Sequence, residues 1–179
     1  RRKELLEESA SSGDGFLAEV CREWEARARE AEKYGIRTVQ LRLGMVLSAK
    51  DGALAKMLPA FKMGVGGPIA GGKQQVSWIT DRDIAKIILF AIENQSLSGP
   101  VNATAPEAMS QKYFARALGD TLGRPAIAPT PAFAVKTMFG QMAEATVLGD
   151  LAVVPAKLRE AGFEWSHPKL RPALNELLD

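Results

Sequence analysis

A helical pattern that leads directly into a strand pattern sets the fold class of this chain. Apolar side chains recur at helical spacing along one stripe: Phe16, Leu17, Val20, Cys21 and Trp24. Gly35 supplies the stop signal, and residues 38–43 then alternate apolar and polar side chains from a β-branched start. A helix that passes through glycine into a strand is one half of a βαβ unit, which places the strand in a parallel sheet. We therefore predict an α/β fold.

Glycine, proline and capping residues divide the rest of the chain. A helical pattern over residues 54–61 precedes a loop with five glycines within residues 64–72. Short strands are predicted at two places, residues 75–79 and 101–104. Thr80 and Ser110 are predicted to cap the helices that follow these strands. Further helices are predicted after Thr130-Pro131, Gly140, Pro155 and Pro168.

Charge and residue counts exclude several classes of protein. The chain has 179 residues, with 23 Lys and Arg against 21 Asp and Glu, and this balance is too even and dispersed for a nucleic-acid-binding surface. No apolar run approaches the roughly 18–20 residues of a membrane-spanning helix, and the first residues lack the apolar core of a signal peptide. The single cysteine and single histidine exclude an intramolecular disulfide and a cysteine- or histidine-cluster metal site. We expect a cytoplasmic protein with no nucleic-acid, membrane or metal partner.

The glycine loop carries a partial match to a phosphate-binding P-loop. Residues 67–73 satisfy its first seven positions, but Gln74 stands where a Ser or Thr must hold magnesium. A P-loop also lies between a strand and a helix, whereas this loop is predicted between a helix and a strand. A nucleotide hydrolase is therefore disfavoured. Two interpretations of the loop stay open: a flexible surface turn, or backbone that approaches a polar or anionic ligand beside Lys73, Gln74 and Gln75.

Two carboxylate pairs are candidates for acid/base chemistry, but each also has a structural interpretation. Glu23 and Glu25 lie on a strongly charged helix, and nothing local places them in a cleft. Asp81 or Asp83 is expected to cap the following helix, because Thr80 begins a capping-box pattern.

The remaining candidates are a histidine, a cysteine and two tryptophans. His167 precedes a proline in a predicted turn, where we expect a solvated ring. Cys21 and Trp24 lie on the apolar stripe and are expected in the core. Trp78 follows the glycine loop and is a candidate to line a pocket.

An ordered series of motifs runs through nearly the whole chain. The motifs are Phe16-Leu17, Trp24-Glu25 and residues 41–47, 52–54, 57–61, 66–69, 71–74, 77–79, 99–102, 117–119, 123–125, 154–155 and 162–163. Their order and spacing resemble the carboxyl-terminal half of the extended short-chain dehydrogenase/reductase superfamily. Within it, the chain is most similar to the atypical NAD(P)-dependent epimerase branch, whose bacterial homologues include proteins labelled cell-division inhibitors.

This resemblance implies an incomplete Rossmann-like portion and a mostly helical substrate-binding portion. Residues 1–50 correspond to a remnant of the dinucleotide-binding domain, and residues 51–179 to the substrate-binding portion, with one returning Rossmann strand near 101–104. Because ligands in such sheets bind beyond the carboxyl ends of the strands, we expect a pocket where the glycine loop, Trp78 and the segment after Arg42 converge. The expected cofactor contacts are Arg42, Gly44 and Val46, and the expected substrate contacts are Gly71, Gly72, Lys73, Gln74 and Trp78.

The chain departs from the family pattern at the cofactor and catalytic positions. It contains no G-x-x-G-x-x-G or G-x-G-x-x-G element to hold the dinucleotide pyrophosphate, so we expect it to begin after that element. The helix before residues 38–43 lacks the Tyr and Lys pair on which hydride transfer in the superfamily relies. Thr80 stands where the family is expected to have a His. We therefore assign no catalytic residue.

The function implied by the resemblance is the substrate-binding half of an NAD(P)-dependent nucleoside-diphosphate-sugar epimerase or dehydratase-like oxidoreductase, inactive alone. The complete family member would use NAD or NADP, and this chain is expected to bind neither tightly. The alternative is a non-catalytic binding or oligomerisation module. The expected partners are a small-molecule substrate and either a second copy of the chain or a missing amino-terminal half.

Overall fold

The structure is a computed structural model that describes residues 4–129 and 149–179. In these residues the strands are short and occur in pairs. The strands are β1 (Leu5–Leu6), β2 (Val39–Leu43), β3 (Met45–Leu47), β4 (Gln75–Val76), β5 (Trp78–Thr80), β6 (Gly99–Ala103), β7 (Met109–Ser110) and β8 (Ala152–Val153). β1 pairs with β8, β2 with β6 and β3 with β5, all in parallel, whereas β4 and β7 are antiparallel. The helices and parallel strands confirm the predicted α/β class.

The helices begin and end close to the predicted signals. They are α1 (Phe16–Arg29), α2 (Gly52–Lys62), α3 (Asp81–Glu93), α4 (Gln111–Thr121), α5 (Ala156–Glu160) and α6 (Leu170–Leu178). A 3-10 helix, Glu30–Tyr34, continues α1 and ends at Gly35 with φ 75°. The Thr80 and Ser110 side chains accept the N–H groups of Asp83 and Tyr113, as the capping patterns predict. The helices predicted after Thr130-Pro131 and after Gly140 lie outside the described residues.

The chain changes its strand partner at Gly44. Before this residue β2 pairs with β6, and after it β3 pairs with β5. The Gly44 N–H donates to the Ala103 carbonyl at 3.2 Å, and the Met45 N–H donates to the Ser77 carbonyl at 2.8 Å. A Cβ on Gly44 would lie 2.9 Å from the Ser77 oxygen, so only glycine allows this close crossing of two backbones.

Two clusters of buried apolar side chains hold the elements together. The first joins α2, α4 and α6 to β3, and its most buried members include Leu47, Leu54, Trp78, Phe114 and Leu174. The second joins α3 and α5 to β6, and its most buried members include Ile79, Ile87, Val101 and Leu158. Successive residues of β5 point to opposite faces, so Trp78 enters the first cluster and Ile79 the second.

The apolar stripe of α1 is exposed, which corrects the expectation that it lies in the core. No residue of α1 is buried; Phe16 is 76% exposed and Trp24 is 72% exposed. Cys21 is exposed as well. An amphipathic pattern shows which face of a helix is apolar but not whether the same chain covers that face.

Two findings on the described residues concern membrane-spanning helices and metal sites. None of its helices is long and apolar enough to cross a membrane. Within the same residues, no group of three or more His, Cys, Asp and Glu side chains is placed to hold a metal ion.

Candidate functional site

The glycine loop between α2 and β4 is anchored to the start of α4 by two glutamines. Gln111 Oε1 accepts the Ile69 N–H at 2.8 Å, and Gln74 Nε2 donates to the Ile69 carbonyl at 3.1 Å. The Lys112 N–H donates to the Gly72 carbonyl, and the Gln111 N–H to the Gln74 carbonyl, both at 2.9 Å. Gln111 and Gln74 are buried. The loop is therefore tied to α4 by hydrogen bonds, and the Gln74 amide serves the loop itself.

The middle of this loop remains open on one side. Gly71 has φ +82°, and a Cβ there would meet no atom within 4 Å. Gly72 has φ +67°, and a Cβ there would lie 2.8 Å from Lys112 Cβ. Lys73 is exposed. The order α2, loop, β4 agrees with the exclusion of a P-loop, and Gly71 with Lys73 forms the accessible part of the predicted substrate site.

Arg42, an expected cofactor contact, donates hydrogen bonds to other residues of this chain. Its Nε and one terminal nitrogen donate to the two Glu25 carboxylate oxygens at 2.7 and 2.8 Å. The other terminal nitrogen donates to the Glu8 carbonyl at 3.1 Å. The hydrogen bonds between Arg42 and Glu25 lower the pKa of Glu25 and raise the pKa of Arg42. Glu25 is thus an ion-pair partner that ties α1 to β2.

The other two expected cofactor contacts lie at and after the strand crossing. Gly44 occupies the crossing itself, and Val46 packs half-buried against the second core cluster. Neither has a polar side chain to offer a ligand.

The strand-to-helix turns test whether the described residues fit a dinucleotide. No glycine-rich turn precedes α2, α3 or α4, and α3 carries Asp81 and Asp83 in its first turn, where a pyrophosphate needs positive potential. The turns before α2, α3 and α4 therefore do not form a dinucleotide cradle.

Neither tyrosine of the chain stands where the superfamily's proton donor is expected. Tyr34 is 83% exposed at the end of the 3-10 helix, and Tyr113 lies on α4. Thr80, at the position expected to hold a His, is fully buried and caps α3.

A pocket of 560 Å³ opens between β4, β7 and the first residues of α4 and α6. Its walls include Gln75, Trp78, Met109, Tyr113, Lys169 and Arg171. Trp78 is 1% exposed, and its indole N–H has no hydrogen-bond partner among the described residues. Residues 71–74 and the segment after Arg42 do not line this pocket. Of the predicted substrate contacts, it contains Trp78 alone.

A buried carboxylate and the single histidine join α3, α6 and the segment before α6. Asp83, fully buried, accepts the Ser166 N–H at 2.7 Å and the His167 N–H at 3.0 Å. His167 Nε2 lies 2.8 Å from Glu176 Oε2, and this hydrogen bond is the main cause of the lowered Glu176 pKa. His167 is 5% exposed, so the expectation of a solvated ring is wrong. Its partner Asp83 lies 84 residues away in the sequence, where no local pattern points to it.

Known proteins match this chain along almost its whole length. Domain of unknown function (DUF1731) matches residues 130–177. An epimerase family protein of Mycobacterium leprae is 37% identical over 97% of the chain, and the chloroplastic SDR39U1 homologue of Arabidopsis thaliana is 38% identical over 97%. The crystal structure of human epimerase family protein SDR39U1 with NADPH superimposes with a TM-score of 0.88 at 34% identity over 98% of the chain. This chain is similar in sequence and in structure to these epimerase family proteins.

These epimerase family proteins are longer than the chain. It covers 57% of the Mycobacterium leprae protein, 50% of the Arabidopsis thaliana protein and 59% of the human chain. A nucleoside-diphosphate sugar epimerase from Corynebacterium glutamicum superimposes with a TM-score of 0.77 at 32% identity, over 99% of this chain and 34% of that one. The chain therefore spans about half the length of the curated relatives it matches.

Proposed function

We propose that this chain is the substrate-binding portion of an NAD(P)-dependent oxidoreductase that resembles nucleoside-diphosphate-sugar epimerases and dehydratases, and that it is inactive alone. The observation that carries the proposal is the match over 98% of the chain to the human epimerase family protein in complex with NADPH. The similarity to the Corynebacterium glutamicum nucleoside-diphosphate sugar epimerase supports the substrate class.

The proposal assigns different tasks to the two portions of the chain. Residues 1–50 are the remnant of the dinucleotide-binding domain, and residues 51–179 are the substrate-binding portion, with β6 as the returning Rossmann strand. The engagement of Arg42 by Glu25 and the role of Gly44 in the strand crossing support a cofactor site built by residues other than those described. NAD or NADP is the proposed cofactor of the completed protein, and the cytoplasm its proposed compartment.

The proposed substrate contacts divide into supporting and contacting residues. Gly72 and Gln74 hold the glycine loop against α4. Gly71 and Lys73 then present an open backbone and an exposed ammonium, which suit the diphosphate of a sugar nucleotide. Trp78 completes the set from the pocket between β4, β7 and the first residues of α4 and α6.

Titration calorimetry with UDP tests this proposal, because UDP carries a nucleoside diphosphate without the sugar. We expect binding to the wild-type chain and about tenfold weaker binding to Lys73→Gln, since a charge-assisted contact is lost. Lys62→Gln, at the exposed end of α2, is the matched control and should bind as the wild type does. Absence of binding by both UDP and UDP-glucose at millimolar concentration would exclude the proposed substrate class.

A self-associating module is the second candidate, and the exposed stripe of α1 favours it. Phe16 is 76% exposed and Trp24 72%, and Leu43 of β2 is 54% exposed. Within the described residues β2 pairs along one edge only, so its other edge offers N–H and C=O groups to a further strand. A second copy of the chain would cover both surfaces.

Sedimentation equilibrium at micromolar concentration tests the second candidate. It predicts a dimer that Trp24→Asp dissociates, because the new charge would be buried without a partner. Tyr34→Asp, on the equally exposed 3-10 helix, is the control. A monomer of 19.3 kDa that unfolds cooperatively would exclude this candidate.

A further inference from the structure

The exposed side of α3 carries a stripe of apolar side chains that is separate from its core-facing side. Ile87 and Ala91 of this helix are buried. On the other side, exposed residues recur at the i, i+3, i+4, i+7 spacing of a single helix face: Ala85, Ile88, Leu89 and Ile92. Ile88 is 46% exposed, Leu89 54% and Ile92 62%. These four residues are called the α3 stripe, and a contiguous exposed apolar surface of this kind marks an interaction site.

We propose that the α3 stripe is the contact surface of a dimer in which α3 packs antiparallel against α3 of a second copy of this chain. The spacing of the stripe favours a second copy, because it is the same in both directions about a midpoint between Ile88 and Leu89. A two-fold axis through that midpoint places Ile88 opposite the partner's Leu89. It also places Ala85 opposite the partner's Ile92, so a small side chain faces a large one at each end.

The charged residues beside the stripe fit the same arrangement. Arg82, Lys86 and Glu93 are exposed and lie on one flank of the stripe, within about 40° of one another around the helix axis. The two-fold axis keeps this flank on the same side in both copies and reverses its order along the helix. At 1.5 Å per residue, Glu93 then lies within about 3 Å, measured along the helix axis, of the partner's Lys86 and Arg82. Opposite charges therefore face each other at both ends of the contact, which favours this orientation.

Lys86 is the better of the two cations for this contact. Its Nζ donates to the Glu164 carbonyl at 2.8 Å and to the Ser166 hydroxyl at 3.1 Å, both of which are uncharged. Arg82 instead donates to the Glu176 carboxylate at 2.8 Å, although its side chain is 62% exposed. The positive charge of Lys86 therefore remains available to a carboxylate of the partner, and we assign the matched pair to Lys86 and Glu93.

The α3 stripe is distinct from the exposed stripe of α1. Leu41 of β2 packs against the second core cluster, which contains Ile87 of α3. The next residue of the strand, Arg42, bonds to Glu25 of α1. Successive side chains of a strand point to opposite faces, so α1 and α3 lie on opposite faces of the β2–β6 pair. The inference is therefore independent of self-association through α1 and of the proposed ligand.

Sedimentation equilibrium of the full chain, from about 1 to about 300 µM, tests the apolar part of the contact. Because α3 has 13 residues and is about 20 Å long, its contact is small and we expect a dissociation constant in the micromolar range. Ile92→Asp should raise this constant at least about tenfold, since a charge would lie in the apolar contact. A monomer at about 300 µM overturns the inference. Association that Ile92→Asp leaves unchanged and Trp24→Asp abolishes also overturns it and supports self-association through α1.

A charge exchange between two copies tests the orientation. Lys86→Glu and Glu93→Lys should each weaken association about tenfold, because like charges then face each other. An equimolar mixture of these two variants should associate about as tightly as the wild type, because each contact again joins a Lys to a Glu. Effects within one chain cannot be restored by mixing. Glu23→Lys, the same charge change on α1, is the control and should associate as the wild type does.

Thermal melts of each variant check that the fold is kept, and all of the varied side chains are exposed. Wild-type association by Lys86→Glu and Glu93→Lys would overturn the antiparallel arrangement. A mixture that associates as weakly as the single variants would overturn it as well.

Discussion

The Arg42 guanidinium donates hydrogen bonds to both carboxylate oxygens of Glu25, at 2.7 and 2.8 Å. This ion pair connects β2 to α1, a helix in which no residue is buried. Paired charges that share two hydrogen bonds are among the stronger polar contacts, although partial exposure weakens them. The attachment of α1 therefore depends heavily on one polar contact.

Replacing Glu25 with Gln should loosen α1 from the strand. We expect faster amide hydrogen exchange along α1 and a loss of about 1 kcal/mol in the free energy of unfolding. Glu23→Gln removes a charge from the same helix without touching Arg42 and should leave exchange unchanged. Equal exchange in the two variants would show that other contacts hold α1.

Asp83 is the second polar anchor, and its removal should cost more because it is fully buried. Its carboxylate accepts the N–H groups of the half-buried Ser166 and the buried His167, and Asp83→Ala would leave both without this acceptor. We expect a loss of about 2–5 kcal/mol in urea unfolding. Asp81→Ala, two residues earlier in α3 and exposed, should cost less than about 1 kcal/mol. Similar losses in the two variants would contradict the structural role of Asp83.

Gly44→Ala tests whether glycine is required at this position by the strand crossing, without any cofactor. In Gly44→Ala the new Cβ would lie 2.9 Å from the Ser77 carbonyl oxygen and 3.0 Å from Thr104 Cγ2, so backbone must shift. We expect a loss of about 1–3 kcal/mol without any ligand, measured by urea unfolding. Gly13→Ala, where a Cβ meets nothing within 4 Å, is the control. Unchanged stability in Gly44→Ala would mean that the crossing tolerates a side chain.

Glu176 should make the fold sensitive to acid. Its pKa is lowered from 4.5, first by the hydrogen bond with His167 and then with Arg82 as a further cause. A carboxyl group with a lowered folded-state pKa adds stability that is complete above the unfolded value and disappears as the pH falls through the folded value. The stability of Glu176→Gln should therefore fall less steeply than that of the wild type below pH 4.5, in urea unfolding at a series of pH values.

A matched control variant accompanies the prediction for the pH dependence of Glu176→Gln stability. Glu160→Gln removes an exposed carboxylate from α5 and should follow the wild-type pH curve. Identical curves for Glu176→Gln and the wild type would show that the contact with His167 contributes nothing to folding.

Sequence patterns predicted those helix and strand ends that depend on neighbouring residues. The start of α1 at Phe16, the end at Gly35 of the 3-10 helix that continues α1, and the Thr80 cap of α3 all depend on residues within one or two turns. The β-branched alternation likewise located β2. Sequence reasoning succeeds at these places because the determining contacts are close along the chain.

Contacts between distant segments explain what the sequence could not supply. Trp24 has the spacing of a core residue, but its exposure depends on what packs against α1. His167 is buried, and its N–H donates to Asp83, 84 residues earlier. The pocket joins Tyr113 to Lys169, and no motif links those two segments. The pairing of the expected cofactor contact Arg42 with Glu25, 17 residues earlier and beyond the 3-10 helix, is likewise not encoded by any local pattern.

Titration of the chain with NADPH and with UDP-glucose on the same sample tests the central claim most directly. A substrate-binding portion without a dinucleotide cradle should bind UDP-glucose and show no NADPH dissociation constant at or below about 1 µM, which corresponds to roughly 8 kcal/mol. NADPH binding at or below about 1 µM, with no binding of UDP-glucose, would contradict the account.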